Sequence, residues 1–371
     1  MDAKVMELVG YDKNFNKVAY VPFLNLQWKR RYYTYGQFQL QILAKDYDPA
    51  IKYVHSAYRP EVGLIERMQT QQTIKGHFVI LSGRFLECVF DRQLAFPTIE
   101  GQYTVRTLAD MMLSSWYKPD LYTFTKGDIP RTDRLDVKWE KDEMGTAMYE
   151  TLKTLELSQR ITFDPDTKKL TYDIWEGLDR TQTQNVNGYA VFSDDNSAMV
   201  ASFGYIEDES DYKNAAMILY EQPAPEDDPD TEEDESDVDP VILRDNVTIG
   251  DVNEYGRRWI AVDADYEDGS YVRRQQGIEE LQGSPLVQEA KIDVNQVGLF
   301  YLQDYDLGDK CQLISIRYKK DFTARITSID EVWKQGKYTV KLGFGEQTQT
   351  KYKKLRRFVR RYRKMHRFWW W

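Results

Sequence analysis

Strict alternation of polar and apolar residues near both ends restricts this chain most. Gln37-Phe38-Gln39-Leu40-Gln41-Ile42 places Phe38, Leu40 and Ile42 on one side of an extended segment, because successive strand side chains point to opposite faces. The same period returns in Gln312–Ile316, Phe322–Ile326 and Tyr338–Phe344. His77–Arg84 reads as a buried strand closing on Gly83, and Arg84–Leu94 as a short helix. Between the alternating ends the period changes. Val105, Leu108, Met111, Met112 and Ser115 recur at helical spacing, as do Met144, Met148, Thr151, Leu152 and Leu155, so each set would bury one helical stripe.

Arg160–Phe163 and Lys169–Ile174 flank Asp164-Pro165-Asp166-Thr167, a strand pair around a turn whose Pro and Asp suit tight backbone angles. Strands return at Tyr189–Phe192, Met199–Phe203 and across Val241–Ala264, with a helix over Tyr271–Leu281. The expected fold is a β-dominated α+β chain. It has a first β-barrel-like domain at 1–96, a small α/β insert at 97–180, a second β-barrel-like domain at 181–350 and a basic amphipathic helical tail at 351–371. An aromatic content of 14%, with 26 Tyr and 9 Trp, suits pleated, half-buried surfaces.

The net charge of −10 conceals two blocks of opposite sign. Glu221–Asp239 holds 11 acidic residues and no basic one, whereas Lys351–Arg367 holds 10 basic residues and no acidic one. The acidic block, interrupted by Pro223, Pro225 and Pro229, repels itself and lacks apolar anchors, so it reads as an extended loop inside the second β-rich region.

Residues that carry chemistry are sparse. The two cysteines, Cys88 and Cys311, form no paired thiolate motif and read as small core residues. No His-Glu-x-x-His, phosphate-cradling glycine loop or Gly-x-Ser-x-Gly elbow occurs among the residues, and the histidines are only His55, His77 and His366. His77 reads as a bonded core or edge histidine. Asp263–Gly269 fails as a calcium loop, since its glycine falls at position 7 and Arg274 stands where a bidentate Glu is needed. The expectation is therefore no catalytic residue, no cofactor and no metal site. Met1-Asp2-Ala3-Lys4 opens no signal-peptide pattern, and no run approaches the roughly 18 apolar residues of a spanning helix. Synthesis and folding in the cytosol is the expectation.

Three patches in order resemble one family. They are Trp28-Lys29-Arg30-Arg31-Tyr32-Tyr33 running into Gly36–Leu40; the apolar strand leading to Ser82-Gly83-Arg84; and Asp304-Tyr305-Asp306-Leu307-Gly308-Asp309-Lys310-Cys311, followed by Ala324–Thr327 and Val340–Gly345. Together they resemble the ReqiPepy-type tail proteins of siphophages. The resemblance implies a tail-tip, or baseplate, hub: two similar barrels per chain and three chains per ring around a channel, so that a threefold ring meets a sixfold tail tube. It further implies a virion component of non-enzymatic role, made in the host cytoplasm. Its partners would be its own copies, the tail tube or a distal tail protein, tape-measure and receptor-binding or fibre proteins, and DNA in transit. The competing reading is a β-rich module that binds cell-envelope carbohydrate through exposed Tyr and Trp.

The tail lies beyond the resemblance. Leu355, Phe358, Tyr362, Met365 and Trp369 recur every three or four residues between arginine-rich flanks, which marks a segment that packs into a protein groove. Contact with a membrane surface, through the cations and Trp369-Trp370-Trp371, is the second reading and nucleic acid the third.

Overall fold

In the first strand-rich region, β1 (Val9–Tyr11), β2 (Lys17–Tyr20), β3 (Asn25–Arg31), β4 (Gln37–Leu43), β5 (Tyr53–His55), β6 (Val62–Thr73) and β7 (Gly76–Phe85) succeed one another. The computed structural model describes residues 5–345 except 75, 223–240, 251 and 268. The alternation read from residues 37–42 is borne out: Phe38, Leu40 and Ile42 are buried while Gln37 and Gln39 face outward. On β3 the inward positions are Leu26, Trp28 and Arg30. Trp28 packs against Phe38 and Phe85, with ring centroids 5.8 and 4.6 Å away. The strand ending near Arg84 is half-buried, and His77 is exposed where β7 pairs with Gln72. Past Ile65 the side chains of β6 are exposed, so the β6–β7 hairpin runs on beyond its core.

The insert comprises β8 (Ile99–Thr104), α1 (Val105–Met112), β9 (Phe124–Lys126), β10 (Arg134–Trp139), α2 (Met144–Lys153), β11 (Ser158–Asp164) and β12 (Lys169–Trp175). Helix α1 starts where the Thr104 side chain accepts from the Thr107 N–H, the usual way to satisfy an orphan donor at a helix start. It buries Val105, Leu108, Ala109 and Met112, the one-faced spacing expected of a helix packed on a core. Leu86, Val89, Phe90, Met144, Met148 and Tyr172 belong to the same core, as do Tyr11, Tyr53 and Leu64 of the first strand-rich region. The segment after β7 is a short 3-10 helix, Leu86–Arg92.

The last region holds β13 (Val191–Ser193), β14 (Val200–Asp208), β15 (Ala215–Gln222), β16 (Val241–Thr248), α3 (Val252–Tyr255), β17 (Trp259–Asp263), α4 (Ser270–Gln282), β18 (Val287–Val294), β19 (Lys310–Ser315), β20 (Lys320–Lys334) and β21 (Lys337–Gly345). Strands of both strand-rich regions share one sheet of 13 strands, in the order β14-β18-β21-β20-β3-β4-β7-β6-β5-β1-β2, with β19 on β20 and β13 on β19. The hinge of this arrangement is β20. Its first half pairs with β19 and its second half with β3 on one side and β21 on the other, across an irregularity at Ile326–Ser328. The two expected barrels therefore do not form as closed rings: among the described residues β1–β7 of the first region and β13, β14 and β18–β21 of the last join one open sheet that continues from β3 to β20.

Backbone contacts divide the chain into two units. Among the described residues one takes 5–204 and 290–345, and the other takes Tyr205–Glu289. In the second unit, β16-β15-β17 form a three-stranded sheet whose Ala216, Ile218, Val247 and Val262 pack with Leu281 and Ile278 of α4. Gly277 lets α4 come close, since a Cβ there would lie 2.7 Å from Val247. The acidic run, apart from Glu221 and Gln222 at the end of β15, and the whole basic tail lie outside the described residues.

Candidate functional site

Where β3 meets β20, the first unit buries charge that the period-two pattern does not require. Arg30 occupies an inward position in phase with Leu26 and Trp28 and is 2% exposed. Its Nε donates to Glu61 Oε1 at 2.5 Å and its Nη1 to the Tyr301 hydroxyl at 2.6 Å, and it also pairs with Asp306. Alongside it, the Arg59 and Glu331 side chains are both 0% exposed. Arg59 Nε donates to both Glu331 carboxylate oxygens, at 2.9 and 3.1 Å, and Nη2 adds a further bond. Tyr301 and Tyr338 donate to the same carboxylate at 3.0 and 3.1 Å.

Burial works against the charge on Arg30, but Asp306 and Glu61 outweigh it and hold its pKa well above the ordinary guanidinium value. Burial opposes the charge on Arg59 too, and Glu331 reverses that, so Arg59 is also raised. Buried charge of this kind survives only when partners and hydrogen bonds satisfy it. Both arginines are therefore fixed cations.

The Asp304–Cys311 stretch is the second half of the junction. Asp306 reaches Arg30, while Asp309, three residues on and 3% exposed, accepts from Arg180 Nε at 2.6 Å and from the Leu178 and Asp306 N–H groups at 2.8 and 3.0 Å. Burial pushes the Asp309 carboxyl up, opposed by Arg180 and these donors. Gly308 has φ +86°, a left-handed conformation that favours glycine. A Cβ there would lie 2.5 Å from the Tyr32 ring, and one on Gly177 would lie 2.0 Å from the Gly308 backbone. Arg325 then clamps the turn, donating to the Gly308 carbonyl at 2.5 Å and to Glu156 at 2.7 Å. The Tyr32 hydroxyl donates to the Glu156 carbonyl at 2.9 Å. A motif of eight residues thus ties β3, the end of the insert and β20 together.

Glu87 is a further buried carboxyl. Glu87 Oε1 accepts from the Ile161 N–H at 2.9 Å, and burial raises its pKa to about 7 against that bond. His55, buried with Nδ1 3.1 Å from the Glu61 carbonyl, is shifted downward, chiefly by burial. Cys88 and Cys311 are both buried, and burial raises both thiols, as suits core residues. Among the described residues no group of His, Cys, Asp and Glu gathers that could hold a metal ion.

The sequence singled out the Asp304–Cys311 turn and the Trp28–Tyr33 patch, and the structure brings them together. It did not reveal Glu61, Arg59 or Glu331 as partners. The one local signal was charge at positions in phase with the core: Arg30 after Leu26 and Trp28, and Glu331 after Ile329. Leu355, Phe358, Tyr362, Met365 and Trp369, the expected docking residues, lie outside the described residues.

An open multi-strand sheet tied by buried ion pairs is the architecture of this junction. Three solved structures named as tail proteins share this fold. The tail protein from Neisseria meningitidis MC58 has a TM-score of 0.59 and 13% identity, over 92% of this chain and 97% of that one. Prophage tail protein gp18 from Listeria monocytogenes EGD-e gives 0.56 and 12% over 96% and 99%. The 43 kDa tail protein of prophage MuSo2 from Shewanella oneidensis gives 0.57 and 12% over 91% and 97%. More narrowly, residues 122–226 match the family of Siphovirus ReqiPepy6 Gp37-like proteins, and so the resemblance read in the sequence is borne out. The match falls on most of the insert and the start of the last strand-rich region, whereas the three patches that carried the resemblance lie on either side. No curated protein matches the chain.

Proposed function

We propose that this protein is a hub of the phage tail tip, acting by assembly: three copies form a ring that joins the tail tube to the distal host-recognition apparatus and surrounds the DNA-ejection channel. The observation that carries the reading is the junction, in which the Arg30–Asp306 and Arg59–Glu331 pairs fix the two strand-rich regions in one arrangement and Arg180–Asp309 ties in the end of the insert. Removing either member of such a buried pair is costly, which suits a part that must keep its shape while neighbours pull on it. In this reading residues 1–96 and 181–350 supply two similar positions per copy, six per ring, matching a sixfold tube. The 97–180 insert braces them. Tape-measure and fibre proteins are the further partners, and the tail, through Leu355, Phe358, Tyr362, Met365 and Trp369, docks on protein.

Mass in solution tests the reading. Sedimentation of the full chain at micromolar concentration is expected to give about three times the 43.8 kDa of one copy, with an interface above roughly 1,000 Å². A monomer that binds cell-wall polysaccharide would overturn it in favour of a carbohydrate-binding module.

A further inference from the structure

Helix α4 covers one face of the β16-β15-β17 sheet. The register fixes what the other face carries. Met217 pairs with Asn246 and Ala261, Leu219 with Arg244 and Asp263, and Glu221 with Ile242, so these side chains project away from Ile218, Val247 and Val262, which meet the helix. Trp259 extends the same face at its β17 end. Ile242 is 66% and Trp259 41% exposed, leaving apolar side chains beside Glu221, Asp263 and Arg244 on an open sheet face. The surrounding unit is strongly acidic. Its described residues between Tyr205 and Glu289 hold 13 carboxylates against 6 basic groups.

We infer that this open face is the docking surface for the chain's own basic segment, residues 351–371, from the same copy or a neighbouring one. The segment complements the acidic excess of the unit and the apolar side chains of the face: 10 cations and no anion over Lys351–Arg367, interleaved with Leu355, Phe358 and Tyr362. Long basic side chains would meet Glu221 and Asp263 while their stems and the aromatic rings cover Met217, Leu219, Ile242 and Trp259, as amphipathic cations do on mixed surfaces. Opposite net charge also draws the two together over distances of a Debye length. The inference rests on the reading of the tail as a protein-docking segment and adds where it docks.

The test uses the full chain with a photo-crosslinking residue at Ala261, an exposed position in the middle of β17, and a second version with the probe at Phe358. After irradiation and digestion, the Ala261 probe is expected to label peptides within 351–371, and the Phe358 probe peptides within 215–222, 241–248 or 259–263. A probe at exposed Thr70 on β6 serves as the control and should leave 351–371 unlabelled. Raising NaCl from about 50 to 500 mM should cut the specific label several-fold, because the contact is partly ionic. Adducts of doubled mass would assign the face to a neighbouring copy and adducts of single mass to the same copy; both support the inference. If the Phe358 probe labels another protein segment, this face is wrong and protein docking survives. If it labels nothing, both fall.

Discussion

Replacing Glu331 by alanine removes the one carboxylate that Arg59, Tyr301 and Tyr338 share. Both partners of the ion pair are fully buried, so water cannot take the place of the lost carboxylate. Breaking one side of a buried pair costs about 3–5 kcal/mol because the surviving charge keeps its desolvation penalty. The two tyrosine hydroxyls lose an acceptor as well, which places Glu331→Ala at the upper end of that range. For a unit of this size such a loss lowers Tm by on the order of 10 °C. Urea unfolding monitored by fluorescence, with the thermal transition as a second probe, measures it. Lys341→Ala is the reference, since the Lys341–Asp293 pair is 60% and 39% exposed and exposed pairs contribute at most about 1 kcal/mol. Combining Glu331→Leu with Arg59→Met should recover much of the loss. The reasoning fails if Glu331→Ala costs no more than Lys341→Ala, or if the double replacement is as damaging as the single one.

Gly308→Ala should destabilise by about 1–3 kcal/mol in the same assay, because the positive φ and the Tyr32 ring both oppose a Cβ. Glu87 gives a pH signature: its folded pKa near 7 lies above the unfolded value, so the folded state holds the extra proton and stability falls as pH rises from about 4.5 to 7. Glu87→Gln should therefore match wild type near pH 4 and exceed it near pH 8, by on the order of 1–3 kcal/mol; urea midpoints at the two pH values check it. Gln222 and Val241 pair across the ends of the acidic run, so replacing residues 223–240 by a short turn should leave folding intact and add about 1 kcal/mol from the shorter loop, read from the thermal transition. Polar replacements of Leu355, Phe358 and Tyr362 should block incorporation into particles, while charge reversals among the arginines should be milder. A purified-virion blot measures both series.

Sequence range decides how much of this could be read from residues alone. Period two marked β4 and β21 because each strand has one face on a core, and period 3.6 marked α1 and α2 for the same reason. The strand β20 is longer than its alternation suggested, running on through Asp330 and Glu331; a buried charge in phase with the core interrupts the apolar pattern that marks a strand. The outer half of β6 left no such trace, since its side chains from Glu66 to Thr73 are all exposed. Asp304–Cys311 could be read as a turn before a strand, as Gly308 required. Its partners could not, because Arg30 and Arg180 lie more than a hundred residues away and nothing local ties them to Asp306 and Asp309. The open sheet escaped for a related reason: alternation gives each strand's face but not its neighbour, and the β3–β20 pairing joins the two ends of the chain.

A ring of this chain at the tip of the tail stands or falls with a reconstruction of the intact virion. Three copies are expected around the tail axis at the distal end of the tube, each fitted by the 13-stranded sheet with its β3–β20 junction intact. A single copy, a position at the periphery of the particle, or absence from the virion would contradict the ring.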